Sequence, residues 1–90
     1  LYTRAITFSG HQLHLNFSTS AAGSLRVELQ KPDGTPIPGF SLQDCLPIYG
    51  DEIDRVVSWS GNAELSSVAG QPVRLRFAMQ ECDLYSFRFE

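Results

Sequence analysis

The sequence predicts an all-β fold. Three observations carry that prediction. Apolar and polar residues alternate with period two in run after run. No stretch sustains a 3.6-residue apolar period with caps at its ends. Turn signals rich in Gly and Pro separate the alternating runs. Short strands punctuated in this way read as an antiparallel β-sandwich, of jelly-roll or immunoglobulin-like type, with about six to eight strands.

The candidate strands follow in chain order. "AITF" (5–8) is a short first strand with Ile6 and Phe8 inward. After the connection "SGHQ" (9–12), "LHLNF" (13–17) turns Leu13, Leu15 and Phe17 to one face and His14 and Asn16 to the other. "SAAG" (20–23) reads as a second short connection. "SLRVELQ" (24–30) then sends Leu25, Val27 and Leu29 inward and Arg26, Glu28 and Gln30 outward. "KPDGTPIPG" (31–39) is a reverse turn: Pro32 presets φ, while Asp33 and Gly34 tolerate left-handed backbone. Pro36 and Pro38 keep the chain extended and out of any central strand.

"IDRVVSW" (53–59) alternates less cleanly, because adjacent Val56 and Val57 mark a bulge or burial on both faces. "ELSSVAGQP" (64–72) has room for one helical turn stopped by Gly70. "PVRLRFAM" (72–79) sends Val73, Leu75, Phe77 and Met79 inward and Arg74 and Arg76 outward. "LYSFRFE" (84–90) sends Tyr85, Phe87 and Phe89 inward and Ser86, Arg88 and Glu90 outward. The shared phase predicts one core containing Val27, Leu29, Leu75, Phe77, Phe87 and Phe89.

The 90 residues suit one domain spanning 1–90, with a thin core. Hydrophobic residues are 42% and charged residues 19%, a globular and not a disordered balance. The net charge of −3 gives a nucleic-acid partner no support. No apolar run approaches the roughly 18 residues of a membrane-spanning helix, so no membrane partner is expected. The chain begins at Leu1 directly on usable sequence, with no signal peptide, and reads as a piece excised from a longer one.

The densest chemistry lies in "DCLPIYGDEIDRVVSW" (44–59). Asp44, Asp51, Glu52 and Asp54 are oxygen ligands of the kind Ca²⁺ takes, although the D-x-D-x-D-G loop is missing. The plainer reading is turn chemistry, with Asp44 capping local backbone groups and Gly50-Asp51 turning into the strand. Tyr49 and Trp59 are aromatic faces on which a sugar ring can stack, with Asp51, Asp54 and His14 for its hydroxyls. Against that stands a core-anchor role for Trp59 and a surface role for His14.

His11 and His14 are the only imidazoles, and no G-x-S-x-G elbow, P-loop, dinucleotide fingerprint or H-E-x-x-H occurs. No enzymatic activity and no cofactor beyond calcium is therefore expected. Cys45 and Cys82 lack zinc-type spacing and form either one disulfide or two free thiols. Four of the six arginines, Arg26, Arg74, Arg76 and Arg88, fall on outward positions. They make either a solvated face with ion pairs or a docking face for a neighbouring domain.

The phrases "LNFSTSAAGSLRVELQ", "DGTPIPGFSLQDC", "YGDEIDRVVSW" and "AGQPVRLRFAMQECDLYSFRF" carry a resemblance. From about Thr7 to Phe89 the chain resembles the C-terminal tail domain of large bacterial secreted or envelope proteins, common in planctomycetes and labelled glycosyl hydrolases. Some of these have a five-bladed β-propeller catalytic domain. Cys45 fits that pattern and Cys82 departs from it. The resemblance implies a secreted or cell-envelope β-sandwich appended to a catalytic domain. The expected function is a non-catalytic accessory module of a carbohydrate-active enzyme that binds polysaccharide. The alternative is a structural sandwich that docks on the catalytic domain of the same chain and binds no sugar.

Overall fold

The computed structural model describes residues 2–60 and 64–90, with the backbone alone at 51–53. The chain is all-β and antiparallel. Strand β1 runs Leu13–Gln30, β2 runs Asp51–Val56 and β3 runs Arg74–Phe89, in the order β2-β1-β3. Two pairs of predicted strands are therefore joined. "LHLNF" and "SLRVELQ" are the two ends of β1, and "PVRLRFAM" and "LYSFRFE" are the two ends of β3. "AITF" contributes only an isolated bridge, Ile6 to Val73. The all-β, antiparallel expectation is met, and among the described residues it takes the form of three strands with isolated bridges around them.

The joined strands bend. An 18-residue strand drawn straight is about 60 Å long, yet the longest dimension of the molecule is 35 Å. The bend lies where Thr19 pairs with Cys82 and Ser24 with Gln80, so that residues 20–23 of β1 bulge opposite Glu81. Glu81 takes left-handed backbone, φ 47°. Gly23 sits against it so closely that a Cβ there would lie 2.5 Å from the Glu81 carbonyl oxygen. Beyond the bend the halves of β3 face each other. The Phe77 and Phe87 rings are 5.6 Å apart, whereas ten positions along a straight strand span about 33 Å.

The alternation predicted inside each half is largely observed. Leu13, Leu15, Phe17, Leu25, Val27, Leu29, Val73, Leu75 and Phe77 are all buried in one cluster. Phe89 packs on that cluster, stacked on Phe8 at 4.0 Å. Phe87 is 36% exposed at its rim, a correction to its place in the core. Met79 and Tyr85 are also exposed. For Tyr85 the cause is a register slip: Asn16 pairs with Ser86 and Phe17 with Leu84, so Tyr85 is an extra residue and the phase inverts there. The reverse turn is present, with Gly34 N–H donating to the Lys31 carbonyl and Thr35 N–H to Asp33 Oδ1. Residues 65–69 make the single helical turn, Ala69 N–H donating to the Leu65 carbonyl.

Candidate functional site

Along the β1 edge opposite β3, Leu25 exchanges hydrogen bonds with Ile48, and Leu29 bonds Ile37 and Phe40. Between them Val27 faces no strand. Its N–H donates to Cys45 Sγ at 3.4 Å, and its carbonyl accepts from the Trp59 indole N–H at 2.8 Å. Buried peptide groups must find partners, and here two side chains stand in for a strand. Trp59 is 1% exposed and meets Phe40 edge-on at 5.4 Å. It is a core anchor, which overturns its reading as a sugar platform.

Tyr49 is 67% exposed. It adjoins Gly50, whose N–H donates to Thr19 Oγ1 at 2.8 Å. The side chains of Asp51 and Glu52, sugar and calcium candidates by sequence, lie outside the described residues. Asp44 is a local cap: its carboxylate accepts from Ser41 Oγ at 2.9 Å and from Ser41 N–H at 3.4 Å. Asp44 and Asp54 thus have separate partners, and the calcium grouping does not form among the described residues.

The structure does bring His14, Asp54 and Arg88 together: the sequence offers His14 and Asp54 as ligands for sugar hydroxyls and Arg88 as part of a docking face. His14 and Arg88 are cross-strand partners and His14 pairs with Val56 on the other side, two residues beyond Asp54. His14 Nδ1–H donates to Asp54, since a carboxylate only accepts. Its Nε2 lies 3.2 Å from Glu90 Oε2 and from Gln12 Oε1. Arg88 donates to Asp54 at 2.9 Å and to Glu90 at 3.3 Å. These neighbours leave His14 only 8% exposed, correcting its reading as a surface histidine. His14, Asp54 and Glu90 offer ligand-type atoms within 4.8 Å of one another. The Arg88 guanidinium already supplies positive charge to both carboxylates, as a cation would. At roughly 3.3 Å per residue, the five positions from His14 to Thr19 put Tyr49 about 15 Å away. Of the described sugar candidates, His14 and Asp54 meet, while Tyr49 and the buried Trp59 stand apart from them.

The arginine face is also divided. Arg26, Arg74 and Arg76 lie on one half of the bent sheet, opposite Ala78, Gln30 and Glu28. Arg74 and Arg76 sit over the Tyr2 ring, at 5.4 and 5.7 Å. Arg88 belongs to the other half. Cys45 and Cys82 are free thiols, so the disulfide alternative is set aside. Burial pushes both thiols up from their ordinary value, and the Asp83 charge adds to the effect at Cys82.

Alternation alone did not flag the last feature. β3 is an edge strand, and the N-terminal segment covers only its beginning, through Thr3 at Leu75 and Ile6 at Val73. From Ala78 to Phe89 no other strand reaches the outer edge among the described residues. Met79, Tyr85 (63% exposed) and Phe87 lie along it. A shallow depression there is lined by Leu84, Tyr85, Ser86 and Phe87. Fold and site together define an all-β antiparallel chain with a satisfied polar cluster on one face and an open apolar edge. No known protein family, curated protein or solved structure matches the chain.

Proposed function

We propose that the chain is a non-catalytic β-sandwich accessory module that docks on another protein domain through the open edge of β3. The observation that carries this reading is that Met79, Tyr85 and Phe87 are exposed on an edge that, from Ala78 onward, no other strand reaches among the described residues. Unpaired edges and clustered exposed apolar side chains mark interaction surfaces. The resemblance to the tail domain of secreted proteins labelled glycosyl hydrolases supports a catalytic domain of the same chain as the partner, in the cell envelope or outside the cell. Catalysis is not part of the reading. The cluster of titratable groups around His14 is closed by its own hydrogen bonds.

A second reading, polysaccharide binding, is favoured by one observation: Tyr49 and Tyr85 both present rings to solvent. Retention on a panel of insoluble polysaccharides separates the two. The docking reading expects no retention of the wild-type chain. Retention that is lost in Tyr49→Ala or Tyr85→Ala, with the fold intact, establishes the carbohydrate reading instead. Tryptophan fluorescence is a poor reporter for this purpose, because Trp59 is sealed in the core.

A further inference from the structure

We infer that the outer edge of β3 over residues 82–89 accepts an extended, cationic segment of a partner protein as an added strand. This rests on the docking reading above and supplies the chemistry of the partner. Three observations converge. The first is the open edge itself. Its eight residues present about 26 Å of strand, enough to pair a partner segment of similar length. The second is the apolar relief along it, where Tyr85 and Phe87 flank a shallow depression. In strand addition, main-chain hydrogen bonds give affinity and alternate side chains give specificity.

The third is charge. Glu81 and Asp83 are exposed beside this edge, and neither has a cationic partner among the described residues. The flanking arginines of the strand are committed elsewhere, Arg76 to Glu28 and Arg88 to Asp54 and Glu90. Sheet edges are commonly guarded by charge and by bulges. A guard made of two acids repels acidic strands and selects basic ones. It also repels a second copy of this chain, which brings the same two acids and a net charge of −3. The expected occupant carries Lys or Arg opposite Glu81 and Asp83, with apolar residues opposite Tyr85 and Phe87.

The test uses the whole 90-residue chain and three labelled peptides of about ten residues. One alternates Lys with Val, one alternates Glu with Val, and the third is the Lys–Val peptide N-methylated at alternate amides. Binding is read by fluorescence anisotropy at low and at physiological salt. The Lys–Val peptide should bind at least about tenfold more tightly than either of the others, less so at the higher salt. A Glu81→Lys/Asp83→Lys variant, shown to be folded by circular dichroism, should reverse the order of the charged peptides. Equal affinity for the Lys–Val and Glu–Val peptides, or no effect of N-methylation, overturns the inference and leaves docking by another surface geometry in place. Binding by none of the peptides also overturns it, while the polysaccharide panel judges the docking reading separately.

Discussion

Val27 shows how single residues close this structure. Its peptide group points along the β1 edge where no strand lies, and Cys45 and Trp59 complete it. Trp59→Phe keeps most of the apolar volume but orphans the Val27 carbonyl. Leaving such a buried acceptor unsatisfied costs about 1–3 kcal/mol, measurable as a lower midpoint in urea. Tyr49→Ala, at an exposed ring, should stay within about 0.5 kcal/mol of wild type. If Trp59→Phe were as harmless as Tyr49→Ala, the indole would not be the anchor described.

The two thiols give a second residue-scale prediction. Thiol reagents attack the thiolate, and both pKa values are raised, so neither reacts fast at neutral pH. Cys82, partly exposed, should react first as pH rises, and buried Cys45 only on unfolding. A native chain that shows no reactive thiol even in denaturant without reductant would instead be disulfide-bonded. The core-anchor role of Trp59 and the free thiols stand among the alternatives the sequence offers, but their partners do not: the indole bonds a carbonyl 32 positions away, and local pattern holds no trace of it.

At the scale of the element, the bend decides the fold. Gly23 permits it, since an added Cβ would meet backbone oxygens of Glu81 and Gln80 at 2.5 and 2.7 Å. Backbone cannot rotate away as a side-chain tip can. Gly23→Ala should therefore cost about 1–3 kcal/mol through overpacking and displaced strands. Ala22→Ser, one position earlier and exposed in the same bulge, should be nearly neutral. Thermal denaturation of the two variants, side by side, checks this, and equal midpoints would contradict the close approach. The alternation in "LHLNF", "SLRVELQ" and "PVRLRF" was legible because period two depends only on which face is buried. "SAAG" read as a connection because small residues serve turns and bulges alike. The inverted phase at Tyr85 was illegible for another reason, since it comes from register with Phe17 and Leu84 of the paired strands. Glu28 and Gln30, outward by alternation, are buried because Leu42 and its loop fold over that face, Leu42 N–H donating to Glu28 Oε1.

At the scale of the whole molecule, protection is uneven. β1 is the central strand, paired with β3 along both halves and with β2, Ile48, Ile37 and Phe40 on its other side. Its apolar side chains are the deepest in the core, several with no exposure at all. β3 shares the same ladder but gives its outer edge to solvent beyond Arg76, the last position bridged by the N-terminal segment. Amides exchange hydrogen according to the free energy of opening, and solvent-facing edge groups open most easily. Hydrogen exchange followed by mass spectrometry should therefore find 13–19 and 24–30 protected longest. Residues 82–89 should be split, with the amides turned toward β1 slow and the outward ones fast. So small a domain has little stability to spare, so global unfolding caps even the slowest amides and compresses the range. Uniform protection of 82–89 at the level of β1, at protein concentrations too low for self-association, would mean that this edge is covered and has no place for another strand.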